Sequence, residues 1–159
     1  GLQFAGLGES GSLTRANSAR WVSFFCWEIP RAADTARLHM AHSIGIGLAG
    51  FGTVGAGVYK NLTTNGDLIA QRTGARFDVR RIAVRDVTRV RAVEAPAELF
   101  TTDLDALLQD ESIRIVVELM GGIDIPRDFV EKAIAAGKIV VTGNKALLAE
   151  HGREIFLRA

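Results

Sequence analysis

The segment "IGLAGFGTVGAG", residues 46–57, places five glycines in twelve positions directly after a short apolar run. Gly50, Gly52 and Gly55 match the pattern G-x-G-x-x-G, which is informative only where it follows a strand and opens a helix. Residues 43–50 alternate small and branched apolar side chains, as buried parallel strands do. The segment therefore predicts a strand–turn–helix unit of the kind that binds a dinucleotide.

In such a unit, each of the three positions needs glycine for a different physical reason. Gly50 permits the tight turn, Gly52 lets the backbone approach a pyrophosphate, and Gly55 lets the helix pack closely on the strand. The diphosphate would lie at the helix N-terminus, facing free N–H groups. A glycine-rich packing turn without a ligand would explain one or two of these glycines but not their spacing. A phosphate-loop NTPase is disfavoured because no Gly-Lys-Ser/Thr sequence follows, and Lys60 falls inside the predicted helix.

Three further apolar runs predict strands. "FDVRRIAVRD", residues 77–86, alternates with a shift that indicates a bulge. "IRIVVELMGG" (113–122) and "KIVVTGNK" (138–145) are typical of buried parallel strands. Helical patterns separate the runs. The alternation predicts the α/β class: a Rossmann-type, doubly wound, mainly parallel sheet with helices on both faces.

Two local patterns make finer predictions about the helices. Val54, Val58 and Leu62 recur at i, i+4 and i+8, so the first helix is predicted to pack on the sheet through these three side chains. Near the end of the chain, His151 precedes Gly152, which predicts a helix end at this point.

Composition excludes several classes of function. The chain has 159 residues, enough for one domain with a full core, and its 48% hydrophobic content is typical of soluble globular proteins. A net charge of +1 gives no broad basic field, so we predict no nucleic-acid partner. The apolar stretches are too short to span a membrane. The single Cys26 excludes a disulfide framework and a CxxC zinc site, the three histidines are scattered, and we predict no metal. A cytoplasmic setting fits these features.

The end of the second strand bears on the choice of cofactor. In this fold a terminal acid holds the 2′-hydroxyl of NAD, whereas an arginine there accommodates the 2′-phosphate of NADP. This chain offers both, Arg85 followed by Asp86. Asp86 lies farther from the glycines than usual, which an extended crossover over residues 63–76 would explain. We therefore expect NADP or NAD, with NADP favoured through Arg85.

Residues 1–40 differ in composition from the rest. They contain both tryptophans and the only cysteine, and they lack a sustained helical or strand period. A signal peptide is one reading, although the apolar run is short and contains Glu28. The alternatives are a tag, an upstream extension ahead of a start at Met40, or a lineage-specific arm. We expect this segment to be poorly ordered or non-native, and the nucleotide-binding domain to span residues 41–159.

The segments "GLAGFGTVGAGVYKNL", "VVELMGG" and "VVTGNKALLAEHG", in this order, resemble the N-terminal cofactor domain of homoserine dehydrogenase. The resemblance implies reversible hydride transfer between NAD(P)H and aspartate 4-semialdehyde, giving L-homoserine on the route to threonine and methionine. It also implies that three groups of residues contact the cofactor: Phe51, Thr53 and Val54 in the glycine turn, the pair Gly121 and Gly122, and the pair Asn144 and Lys145.

The resemblance gives Lys145 a catalytic role as well, since the family lysine contacts the cofactor and assists proton transfer to the carbonyl oxygen. One departure is local: the family usually reads Thr-Ala-Asn-Lys, and this chain has Gly143 in place of the alanine. A second concerns length, because the family carries a substrate and dimerisation domain after this one. We therefore expect a fragment without the catalytic domain, inactive alone, from a homo-oligomeric enzyme that binds its semialdehyde only with the missing domain.

Two other readings stay open at the level of sequence. One is the cofactor domain of another amino-acid or semialdehyde dehydrogenase. The other is a stand-alone, non-catalytic module that senses the nucleotide. The Asn144–Lys145 pair and "VVELMGG" favour homoserine dehydrogenase over the first of these. Against the second, a natural sensor is expected to end on a capped, polar helix, whereas "HGREIFLRA" ends on Phe156 and Leu157, which suits an interrupted chain better.

Overall fold

The computed structural model describes residues 42–159, so the predictions for residues 1–40 lie outside the described residues. Strands and helices largely alternate along the described residues, and a 3₁₀ turn lies at Ala97–Leu99. They are β1 (His42–Ala49), α1 (Thr53–Thr64), α2 (Gly66–Thr73), β2 (Ala75–Ala83), β3 (Phe100–Thr101), α3 (Asp105–Gln109), β4 (Ile113–Glu118), α4 (Asp124–Ala135), β5 (Ile139–Thr142) and α5 (Lys145–Arg158). No helix in this part of the chain is long and apolar enough to cross a membrane.

The five strands form one sheet in the order β3-β2-β1-β4-β5, and every neighbouring pair is parallel. The chain moves outward from β1 through β2 to β3, then crosses over and continues from β4 to β5. The carboxyl ends of β1 and β4 therefore flank the point where the strand order reverses, which is where open α/β sheets bind their ligands.

Helices cover both faces of the sheet because successive strand residues point in opposite directions. Leu48 of β1 belongs to a buried cluster with Ala56 of α1, whereas its neighbour Ala49 belongs to a cluster with Phe129 of α4. The predicted Rossmann-type architecture is confirmed.

The predicted shift within the second strand is a bulge. Ile46 pairs with Val79 and Gly47 pairs with Arg81, so Arg80 is an extra residue on β2. The strand keeps the correct faces beyond this point because the bulge resets its alternation.

The predicted packing face of α1 is partly wrong. Val58 and Leu62 pack against the core, but Val54 is 63% exposed. Ala56 and Tyr59 take its place. The first turn of α1 lies at the carboxyl edge of the sheet, where Val54 has no strand beneath it.

The helix end predicted at His151 and Gly152 is also wrong, because α5 continues to Arg158. Leu147 and Ile155 lie on either side of Gly152 and are both buried against Val130. Their burial offsets the cost of about 1 kcal/mol that glycine adds inside a helix.

Candidate nucleotide-binding site

Backbone hydrogen bonds beyond the strand ends gather three loops at one edge of the sheet. The N–H of Leu119 donates to the carbonyl oxygen of Ala49 at 2.8 Å, and the N–H of Gly143 donates to that of Glu118 at 3.0 Å. These bonds align the loops that follow β1, β4 and β5. The loops contain many of the predicted site residues, namely Gly50, Phe51, Gly52, Gly121, Gly122 and Asn144, and Lys145 follows at the start of α5.

The turn after β1 requires glycine at two positions. Gly50 has a φ of +105°, and a Cβ there would lie 2.7 Å from the carbonyl oxygen of Leu119. A Cβ on Gly55 would lie 2.3 Å from the carbonyl oxygen of Gly50. The turn and the close packing of α1 therefore have the geometry that the spacing of the glycines predicts.

Gly52 differs from its neighbours because a Cβ there would meet no atom within 4 Å. Its φ of −81° is open to any residue, so the fold itself does not require glycine at this position. The missing side chain leaves open space in front of the backbone, at the start of α1. This is the cradle that a closely approaching pyrophosphate needs.

The N-terminus of α1 has free donors and no negative charge. The first helical bond runs from the N–H of Ala56 to the carbonyl oxygen of Gly52 at 2.9 Å, so the N–H groups of Thr53, Val54 and Gly55 have no partner within the helix. No side chain caps this turn, and it contains no acidic residue. These donors and the positive end of the helix dipole suit an anion.

The side chain of Phe51 packs into the core rather than toward the open edge of the glycine turn. It is buried and makes edge-to-face contacts with Tyr59 and Phe100, with ring centroids 5.7 and 5.3 Å apart. The aromatic packing anchors the glycine turn to α1 and β3. The prediction that Phe51 contacts the cofactor therefore applies only to its main-chain atoms.

Arg85 and Asp86, the two residues after β2 that bear on the choice between NADP and NAD, have different surroundings. Asp86 Oδ1 accepts hydrogen bonds from the Thr88 hydroxyl at 2.7 Å and the Thr88 N–H at 2.8 Å, and these bonds hold the pKa of the Asp86 carboxyl below its ordinary value. Asp86 therefore shapes its own loop. Arg85 is exposed, and its side chain forms no hydrogen bond or ion pair with residues 42–159. The arginine is the group available to a ligand.

Arg91 stabilises the loop after β2. Its guanidinium lies 4.6 Å from the centroid of the Phe100 ring and donates to the carbonyl oxygen of Arg89 at 2.7 Å. It also donates to the carbonyl oxygen of Asp86. Because Phe100 packs on Phe51, the loop after β2 and the glycine turn rest on one aromatic cluster.

On the other side of β1, Asn144 connects the loops after β4 and β5. Its Nδ2 donates to the carbonyl oxygen of Gly122 at 2.8 Å, and its Oδ1 caps α5 by accepting from the N–H of Leu147 at 3.1 Å. Lys145 is the first residue of α5. Its ammonium is exposed and has no ion pair in the described part of the chain, whereas Gly121 and Gly122 leave the facing loop open.

The alanine that the family carries at position 143 would fit this chain after a small adjustment. A Cβ on Gly143 would lie 2.9 Å from Cδ2 of Leu119, the movable end of a side chain. The space at Gly143 therefore does not itself require glycine in this chain.

Glu118 lies at the end of an apolar strand, where the sequence alone allows either a solvated carboxylate or a polar contact at the cofactor crevice. The structure excludes solvation, because Glu118 is 0% exposed. Its Oε1 accepts from the N–H of Met120 at 2.7 Å and its Oε2 from the hydroxyl of Thr142 at 2.5 Å. An acid at the end of an apolar strand was the available signal, but its partners become neighbours only in the folded sheet.

Comparisons with known proteins agree with this geometry. A sequence profile described as "Homoserine dehydrogenase, NAD binding domain" matches residues 50–159. The chain belongs to the homoserine dehydrogenase family. It is 50% identical to the homoserine dehydrogenase of Corynebacterium glutamicum over 113 residues, which are 71% of this chain and 25% of that protein.

Solved structures of homoserine dehydrogenases share the fold. The enzyme from Thiobacillus denitrificans superposes with a TM-score of 0.70 at 43% identity, over 75% of this chain and 27% of that one. A structure from S. aureus gives a TM-score of 0.69 at 35% identity, over 74% and 29% of the two chains. The chain thus spans about a quarter of the length of the curated relatives that it matches.

Within this homoserine dehydrogenase family, the chain corresponds to the domain that binds a nicotinamide dinucleotide. The described residues contain no group of three or more His, Cys, Asp or Glu side chains that could hold a metal ion. The uncapped first turn of α1, the open space at Gly52 and the exposed Lys145 fit a phosphate-bearing, redox-active cofactor.

Proposed function

We propose that this chain is the cofactor-binding part of an oxidoreductase that interconverts L-homoserine and L-aspartate 4-semialdehyde, on the route to threonine and methionine. One observation carries the proposal: the uncapped N-terminus of α1 and the open backbone at Gly52 lie at the same sheet edge as Lys145. The family match supplies the reaction.

Residues on both sides of β1 would hold the cofactor. The pyrophosphate would be bound by the turn at Gly50, Gly52 and Gly55, with the backbone N–H groups of Thr53 and Val54 as donors. The nicotinamide half would be bound by the loops after β4 and β5. Those loops contribute Gly121, Gly122 and the main chain of Asn144, and Lys145 follows at the start of α5.

Arg85 favours NADP over NAD in this proposal. Its guanidinium is exposed at the end of β2, and a free arginine there accommodates a 2′-phosphate. The acid that would select NAD is Asp86, and Thr88 already engages it. The loop therefore presents a positive charge to the ligand.

Lys145 would act on the proton of the reaction. When bound, the nicotinamide ring supplies or accepts the hydride. Lys145 Nζ would hold a proton beside the substrate oxygen, stabilising negative charge as the aldehyde is reduced and donating the proton to the resulting alkoxide, which becomes the alcohol. The first turn of α5, capped by Asn144, fixes the backbone that carries this side chain.

The amino-acid substrate would be bound by parts of the relatives that have no counterpart in this chain, which matches 25% of the C. glutamicum enzyme. We therefore propose that this chain binds the dinucleotide and that turnover requires those other parts. Assembly as a homo-oligomer and a cytoplasmic location belong to the same proposal.

Calorimetric titration of the chain with NADPH and NADH tests this function. We expect saturable 1:1 binding of both, tighter for NADPH. Joining residues 42–159 to the remainder of the C. glutamicum enzyme should then give NADP-dependent oxidation of L-homoserine. Failure to bind either nucleotide at millimolar concentration would contradict the proposal, and oxidation of a different hydroxy acid would redirect it to another dehydrogenase.

A further inference from the structure

Glu118, Thr142 and Asn144 are connected by hydrogen bonds, here called the Glu118 network, in which Asn144 is linked to the Thr142 hydroxyl through its backbone N–H. The Thr142 hydroxyl donates to Glu118 and accepts from the N–H of Asn144 at 3.0 Å. Glu118 also accepts from Met120, and Asn144 donates to Gly122. The network therefore connects the loop after β4 to the loop after β5 in two places, through the bond between Thr142 and Glu118 and through the bond between Asn144 and Gly122.

Burying the carboxyl group of Glu118 costs free energy unless its oxygens are hydrogen-bonded. A carboxylate that is 0% exposed loses its hydration, and an apolar side chain of similar size would often serve stability as well. Here both carboxylate oxygens are used, and they bind groups on two different loops. No buried side-chain nitrogen or oxygen among the described residues lacks a partner. A fully satisfied network of this kind rigidifies the segments that it joins.

The side-chain polar atoms of Asn144 also form hydrogen bonds within the protein. Nδ2 donates to Gly122, with a longer contact of 3.4 Å to the carbonyl oxygen of Met120, and Oδ1 caps α5. Asn144 is 8% exposed. Its side chain is thus better placed to hold the two loops together than to bind the cofactor itself, and Lys145 follows it directly.

We propose that Glu118 is a positioning residue: through Thr142 and Asn144 it sets the distance between the loop Met120–Gly122 and Lys145, and so shapes the pocket for the nicotinamide half of the cofactor. This inference rests on the proposed function, because it assumes that the two loops contact that half. It assigns no contact with the cofactor to Glu118.

Thr142→Val tests the network, with Thr142→Ser as the matched control. Valine keeps the shape of threonine but removes the hydroxyl from both of its bonds, whereas serine keeps the hydroxyl. The probes are NADPH and ADP-ribose 2′-phosphate, which lacks only the nicotinamide ring and so reports on binding of the rest of the cofactor. We expect Thr142→Val to weaken NADPH about tenfold or more and to leave ADP-ribose 2′-phosphate unchanged. Thr142→Ser should bind both as the wild type does.

Amide hydrogen exchange gives a second readout. The amides of Met120 and Asn144 should exchange faster in Thr142→Val, while the amide of Leu48 in the central strand stays protected. The proposal is overturned if Thr142→Val binds NADPH like the wild type, or if it loses both ligands equally. It is also overturned if the wild type binds NADPH no more tightly than ADP-ribose 2′-phosphate. A wild-type chain that binds neither ligand would instead refute the proposed function.

Discussion

The carbonyl oxygen of Gly50 occupies the space that a side chain on Gly55 would need, because a Cβ there would lie 2.3 Å away. The close approach joins the end of β1 to the start of α1 through backbone alone. It also aims the first turn of α1 at the crevice where the strand order reverses. The fold and the predicted phosphate site thus depend on one glycine-to-glycine contact.

Gly55→Ala should destabilise the domain. Neither the Gly50 carbonyl nor α1 can move without disturbing the sheet, so we expect a loss of about 1–3 kcal/mol in the free energy of unfolding. Gly57→Ala is the matched control on the same helix, since a Cβ at Gly57 meets no atom within 4 Å. It should stabilise the chain by about 0.5–1 kcal/mol. Urea denaturation measures both, and equal effects of the two substitutions would contradict this view of the turn.

Arg85→Ala should reduce affinity for NADPH far more than for NADH. A charge-assisted bond to a 2′-phosphate contributes about 1.5–3 kcal/mol, so we expect NADPH binding to weaken roughly 10- to 100-fold. NADH lacks that phosphate and should change little. Arg89→Ala, in the same exposed loop, is the control for a general change in charge. Calorimetry with both nucleotides decides, and equal losses for NADPH and NADH would remove the 2′-phosphate role of Arg85.

Much of the fold was predictable because its signals are local. Apolar runs marked the strands, the spacing of the glycines marked the turn, and a shift of alternation marked the bulge at Arg80. The position of Val54 was not predictable from helical periodicity, because its exposure depends on where the sheet ends. Glu118 was ambiguous for the same reason, since Thr142 becomes its partner only when β4 and β5 pair.

The charged side chains between α4 and α5 give a prediction about pH and salt. Glu131 accepts hydrogen bonds from Arg127 on its own helix and from Arg158 on α5, and Arg127 also pairs with Glu154. The bond from Arg127 is the main cause that lowers the pKa of the Glu131 carboxyl from its ordinary value of 4.5. Because the folded pKa is the lower one, the stabilisation is complete above about pH 4.5 and is lost as the pH falls through the folded value.

Glu131→Gln should therefore lower the melting temperature at pH 7 in dilute buffer. The difference in melting temperature from the wild type should shrink in 1 M salt, because the screening length falls to about 3 Å. It should also shrink as the pH falls below about 4.5, because Glu131 is then protonated in the unfolded chain. Glu111→Gln is the control, since Glu111 is exposed and forms no ion pair with the described residues. Thermal denaturation followed by circular dichroism measures the effect. A deficit independent of both salt and pH would show that Glu131 acts through packing rather than charge.

The binding of NADPH to Gly52→Val tests the central claim most directly. A Cβ at Gly52 would meet no protein atom within 4 Å, so the variant should still fold, which circular dichroism checks. The valine would fill the space in front of the α1 N–H groups and remove their bonds to the pyrophosphate. We expect a loss of about 3 kcal/mol, or roughly 100-fold in affinity. A folded Gly52→Val chain that binds NADPH as tightly as the wild type would contradict the assignment of this turn as the cofactor site.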